Sequence, residues 1–176
     1  MMQFTPEHVH LMINHLPIVG FGGVIVLLAY SVIRNEPHTL GLGLGAAVVL
    51  AIATSLVMWT GEEAHERFMF ESVSKFIDDT APAWIEEHEE RAEIAAVAAY
   101  ATGGVALIGM IAAWFKTKWR RAIGSIVLVM TLATTGLMGY VADAGGKINH
   151  PEFRATPTTA PPADASDDDG HEHEHE

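Results

Sequence analysis

The chain has 176 residues, of which 49% are apolar and 18% charged, with a formal net charge of −12 and no cysteine. That apolar content excludes a disordered chain. The missing thiols exclude disulfides, zinc fingers and iron–sulfur clusters, so any metal or cofactor has to be held by His, Met or carboxylate.

Charge is placed unevenly along the sequence. Segments 8–33, 37–61, 94–115 and 122–142 contain no Asp, Glu, Lys or Arg. Each exceeds the roughly 20 apolar residues that a helix needs to cross the ~30 Å hydrocarbon layer. The expectation is an all-α integral membrane four-helix bundle. Ahead of the first span, Thr5-Pro6-Glu7 is a helix-start signal, and the absence of a basic n-region and of a small-residue cleavage site predicts that this span is retained. Arg34-Asn35-Glu36-Pro37 separates the first and second spans.

Beyond the second span, His65, Met69, Val73, Phe76 and Ile77 recur at helical spacing against Glu62, Glu63, Glu66 and Lys75. This predicts an amphipathic helix over Glu62 to Asp79, in the outer loop between spans 2 and 3, lying on a membrane or bundle surface. After Asp78-Asp79-Thr80, Pro82 fits the first turn of a helix that can run to Phe115, with Ala81, Trp84, Ile85, His88, Ala92, Ala95 and Ala99 along one face. The run Lys116-Thr117-Lys118-Trp119-Arg120-Arg121 links the third and fourth spans, and Gly145-Gly146 is read as the stop of the fourth. Residues 1–153 thus form the four-helix transmembrane domain, and 154–176 a disordered acidic, His-rich tail. The tail ends in a His-Glu alternation carrying His171, His173 and His175, the composition of a purification tag or of a loose metal scavenger.

Lys and Arg in short loops set topology, because translocating them is disfavoured. Four of the six residues in 116–121 are basic and Arg34 lies in the other short loop, whereas 62–93 holds eleven acids against three bases. The expected topology is multi-pass with N-out and C-out, both termini periplasmic, in a bacterial inner (cytoplasmic) membrane. No basic stripe exists beyond that topology signal, so nucleic-acid binding is unsupported. Ser55, Ser72, Ser74 and Ser125 have no neighbouring His and Asp arrangement for nucleophilic catalysis. No span carries an ionisable residue at mid-membrane depth, where a transport path would need one.

The functional signal is histidine placement. Six of the ten histidines, His8, His10, His15, His65, His88 and His150, fall at the outer end of a span, and every span supplies at least one. A single inward histidine is ordinarily a hydrogen-bonded core residue, with Asn14, Thr60 and Glu63 as available partners. A set at one membrane face marks a cofactor or metal site instead. His8, Met12 and His15 form an i, i+4, i+7 stripe expected to face the bundle axis. Two facing imidazoles in a four-helix bundle suit bis-His haem b, with His15 and His88 as the expected pair and His65 and His150 as a second. The double glycine before Asn149-His150-Pro151-Glu152 is expected to let that segment fold back over the mouth. The non-haem alternative uses the same histidines with His8, His10, Glu62 and Glu89 for an iron, copper, zinc or manganese ion, Glu62-x-x-His65 lying on one helical face.

The motifs Asn14-His15-Leu16-Pro17, Thr60-Gly61-Glu62 and Gly145-Gly146-Lys147-Ile148-Asn149-His150-Pro151-Glu152, with Glu87-His88-Glu89-Glu90-Arg91-Ala92, resemble those of a group of small uncharacterised bacterial inner-membrane proteins with four spans. The resemblance covers residues 8 to 153. It implies the four-span fold and draws attention to His10, His15, His88 and His150. From the placement of the histidines, and not from the resemblance, the expectation is an electron-transfer protein in the lipid bilayer, rather than an enzyme, passing electrons to a quinone, a cytochrome or a respiratory complex. An unliganded structural subunit of such a complex is the third reading.

Overall fold

The computed structural model describes residues 5–70 and 81–154, which are helical throughout apart from short connections. The first span is two helices, α1 (Pro6–Ile13) and α2 (His15–Arg34), broken at Asn14. Pro17 explains the break, since it has no N–H for the Ile13 carbonyl four residues back and its ring crowds that carbonyl. Asn35 ends α2 in the left-handed region, at φ 53° and ψ 43°, a conformation that Asn tolerates. The Glu36 carboxylate then accepts the Thr39 N–H at 2.6 Å, the Thr39 hydroxyl at 2.7 Å and the His38 N–H at 3.3 Å. With Pro37 in the first turn, this caps α3 (Pro37–Phe70).

α4 (Ala81–Phe115) follows the expected start and runs unbroken to the expected end. A 3-10 turn at Thr117–Trp119 leads into α5 (Arg120–Asn149), and a second at Pro151–Phe153 follows it. Two expectations need correction or restriction. Gly145-Gly146 does not stop the last helix, which continues to Asn149, because Gly145 is used for close packing rather than for a turn. The amphipathic segment begins as a direct continuation of α3 to Phe70, and its remainder, 71–79, lies outside the described residues.

Around the bundle α2 neighbours α3, α3 neighbours α4, α4 neighbours α5 and α5 returns to α2, so α2 and α4 stand on one diagonal. Phe21, Val24, Leu28, Leu44, Ala47, Ala99, Ala106 and Val127 fill the core. Small residues bring α3 and α4 together: a Cβ on Gly103 would strike the Ala51 Cβ. Thr102 donates to the Ala98 carbonyl at 2.8 Å and accepts from Thr134 of α5 at 2.9 Å, which satisfies both buried hydroxyls.

The outside is apolar, with Val26, Val49, Ile52, Val97, Ile108 and Val129 all exposed. Four helical spans are long and apolar enough to cross a membrane, and the protein is a multi-pass membrane protein whose outer surface faces lipid. Exposed Trp59 and Tyr140 ring one end, and exposed Trp114 and Trp119 the other. From the start of α5 to Tyr140 is about 30 Å at 1.5 Å per residue, the thickness of the hydrocarbon layer, and aromatic belts sit at its two boundaries. α4 has 35 residues, or about 52 Å, so it projects well past the Trp59 and Tyr140 belt. That projecting end carries the histidines.

Candidate functional site

α1, swung aside by the break at Asn14, packs on α3 and makes no close backbone approach to α4 or α5 among the described residues. This lays the His10 ring against Gly61, where a Cβ would come within 3.0 Å of the imidazole Cε1. The His10 Nδ1–H donates to the Val57 carbonyl at 3.2 Å, with the Thr60 hydroxyl oxygen at 3.4 Å. Thr60 directs its own proton to the carbonyls of its helix.

His88 on α4 repeats this arrangement on α5. Its ring lies against Gly145, where a Cβ would come within 3.0 Å of Cε1, and its Nδ1–H donates to the Val141 carbonyl at 3.0 Å. In both cases the accepting carbonyl belongs to a valine four residues before the glycine. The site is therefore two copies of one device: a histidine from the start of one span, seated on a Val-x-x-x-Gly stretch at the end of the next.

The carbonyl bonds have a chemical consequence. A neutral imidazole that donates from Nδ1 carries its free lone pair on Nε2, the form that ligates metals. Neither Nε2 has a hydrogen-bond partner among the described residues. Both rings are half-buried, His10 on α1 and His88 on α4. One turn further along the first span from His10, the Asn14 side-chain oxygen is buried and has no partner among the described residues.

A charged rim lies outside this pair. His65 and Glu89 meet at 2.6 Å, and Arg67 reaches Glu7 at 3.4 Å. Arg91, one turn from His88, bonds Glu87 at 2.7 Å, Asp143 at 3.1 Å and the Tyr140 carbonyl at 3.0 Å while covering the Tyr140 ring. Lys147 completes the link through Asp143 and stacks over Trp84. These contacts pin α4 to α5 at the level of His88 and hold that ring on its glycine.

The other predicted site residues are elsewhere. The stripe of His8, Met12 and His15 faces outward, all three being exposed, with His8 bonded to Thr5 at 3.0 Å. The expectation that this stripe faces the axis is thus overturned. Lipid is as apolar as a core, so apolar periodicity does not mark the inner face of a membrane helix. Glu62 is exposed, and His65 joins Glu89 rather than His150. His150 does not fold over the mouth: it is exposed, pairs with Glu152 at 2.9 Å and stacks on Phe153. There the Glu152 backbone N–H and the His150 ring hold the Glu152 carboxyl below its ordinary range.

The features that sequence reasoning missed are Gly61, Gly145 and the carbonyls of Val57 and Val141. The repeated Val-x-x-x-Gly spacing was the available signal. No family model, curated protein or solved structure matches the chain, so the class is defined by its architecture: a four-span helical membrane protein with a histidine seated on a glycine in each of two helix pairs at one end.

Proposed function

We propose that the protein is a membrane-anchored, bis-His haem b-binding electron-transfer protein or subunit, with His10 and His88 as the imidazoles that would hold the group. The observation that carries this reading is the pair of equivalent rings, each with Nδ1 tied to a valine carbonyl and Nε2 open. Three features fit the group. Bound haem supplies four ring nitrogens, so two protein donors suffice, and among the described residues no cluster of three or more His, Asp or Glu is gathered to hold a bare ion. Gly61 and Gly145 leave room for imidazoles beside helix backbone. The orphaned Asn14 oxygen is a buried acceptor that a bound group or its water would satisfy.

When bound, the haem iron supplies a reversible one-electron step. The protein's part is to fix ring orientation through the carbonyls, exclude water with the apolar bundle below, and present the site at the membrane boundary. Val57 and Val141, which hold the rings, lie beside the belt residues Trp59 and Tyr140. That depth suits exchange with a quinone at the interface or with a cytochrome or respiratory-complex partner outside. The topology that goes with this function is N-out and C-out, with the site at the periplasmic face of a bacterial inner membrane.

The test is the visible and electron-paramagnetic spectrum of the full chain purified in detergent from cells supplied with haem. A Soret band with a low-spin bis-imidazole signal is expected, lost in His10→Ala and His88→Ala and retained in His15→Ala. Stoichiometric iron, copper or zinc with no Soret band would transfer the site to the non-haem alternative. Neither haem nor metal would leave a structural subunit.

A further inference from the structure

The opposite end of the bundle carries a cavity and a groove apart from the histidines described above, with His38 the histidine that lines the groove. A polar cavity of about 270 Å³ lies between the α2–α3 turn and the start of α5, lined by Ser31, Asn35, Thr117, Lys118, Arg120 and Arg121, with Glu36 at its edge. Beside it an apolar groove of about 460 Å³ runs between the first turns of α3 and the last turns of α4, past Leu44, Met110, Ala113 and Trp114. Pro37, Leu40 and Arg120 line both, so cavity and groove are continuous. We propose that this end holds one anionic phospholipid, its phosphate seated in the polar cavity and one acyl chain in the adjoining groove.

Charge selects the occupant. Three cations face one carboxylate, and that carboxylate is already engaged by the N–H and hydroxyl of Thr39 and the N–H of His38. Arg120 donates from Nε to the Ala113 carbonyl at 3.2 Å, which fixes its guanidinium at the junction of cavity and groove. Its two Nη groups have no partner among the described residues, and neither has the Lys118 ammonium. A planar guanidinium with both Nη free matches a phosphate bidentately.

Arg121 is held at the same level by the Val32 and Ile33 carbonyls, at 3.0 and 3.4 Å. The cavity lies beside exposed Trp114 and Trp119, the depth of lipid headgroups. Basic pockets between membrane helices at this depth recognise anionic headgroups. A zwitterionic lipid would add a fourth cation to the three already there, a free phosphate would leave the groove unused, and a quinone would bring no charge.

Gly41 offers a clean probe of the groove, because it lines the groove and a Cβ there meets nothing within 4 Å. The experiment is native mass spectrometry of the delipidated full chain in detergent, titrated with phosphatidylglycerol and with phosphatidylcholine of identical acyl chains. One phosphatidylglycerol should bind at least tenfold more tightly than phosphatidylcholine. Lys118→Gln should lower that preference about fivefold, the share of one basic residue near a lipid surface. Gly41→Leu should weaken both lipids while leaving helix content unchanged. Equal binding of the two lipids, or wild-type binding in both variants, would overturn the proposal. So would displacement of bound phosphatidylglycerol by millimolar inorganic phosphate or by a quinone.

Discussion

Whether a histidine near a membrane boundary ligates or merely solvates depends on what its other ring nitrogen does. For His10 and His88 the Nδ1–H is committed to a backbone carbonyl, while His8 bonds a neighbouring threonine and His150 a nearby carboxylate. The glycines provide the sharpest residue-level test. Gly145→Ala places a methyl 3.0 Å from Cε1 and 3.1 Å from Nδ1 of His88, and Gly61→Ala does the same to His10 at 3.0 and 3.3 Å. Each ring must shift by a few tenths of an ångström and strain its carbonyl bond. Loss of such outer support costs about 10- to 100-fold in affinity at metal sites, so under the proposed function the haem affinity read by titration should fall by that factor in each variant. Gly146→Ala, which meets nothing within 4 Å, is the control that should bind as wild type. The sequence located the histidines at one end, and the proposed pair takes His10 in place of His15 because His10 is half-buried and His15 exposed. His10 lies on α1 and His15 on α2, across the break at Asn14, and lipid and core present the same apolar pattern to both.

At the scale of the element, the break at Asn14 and the cap at Glu36 decide where helices point. The first span was read as a single helix, although Pro17 was the signal for the break, and the break matters because it lets α1 lean onto α3. The cap has a pH signature. Hydrogen bonds from the Thr39 N–H and hydroxyl hold the Glu36 carboxyl below its ordinary 4.5. A group whose folded pKa is depressed adds stability that is fully present above its unfolded pKa and is lost as pH falls through the folded value. Glu36→Ala should therefore lower the thermal unfolding midpoint at pH 7, and the gap to wild type should close as the pH falls below the ordinary 4.5 and through the lowered pKa. A gap that is constant with pH would mean that the carboxylate does not act as the cap. The double glycine of α5 shows the converse limit of local signals. Read alone it stops a helix, yet His88 packing on Gly145 makes the absent side chain useful within one.

For the molecule as a whole, the two ends differ in kind. One carries paired imidazoles under a rim of acids and bases, and the other a basic cavity opening to an apolar groove. The topology proposed above, which rests on the positive-inside rule, would put the basic end in the cytoplasm and the histidines outside. An alkaline phosphatase fusion after Gly170 should accordingly be active, and one after Thr117 inactive. The reverse pattern would move the histidine site into the cytoplasm and remove the periplasmic partner from the proposed function.

The sequence by itself determined the four spans, their lengths, the distribution of charge between the two ends and the gathering of histidines at one of them. Those properties follow from the bilayer, which sorts residues by polarity along the helix axis, a coordinate that chain position reports directly. Tertiary structure alone decided which histidines turn inward, that each is seated on a glycine of another helix, and that their partners are backbone carbonyls 47 and 53 residues away. Rotation about the helix axis leaves no trace in apolar periodicity when core and lipid are equally apolar. It is set instead by the proline break, by the close approach of helices at glycine, and by the need of each buried ring N–H for an acceptor.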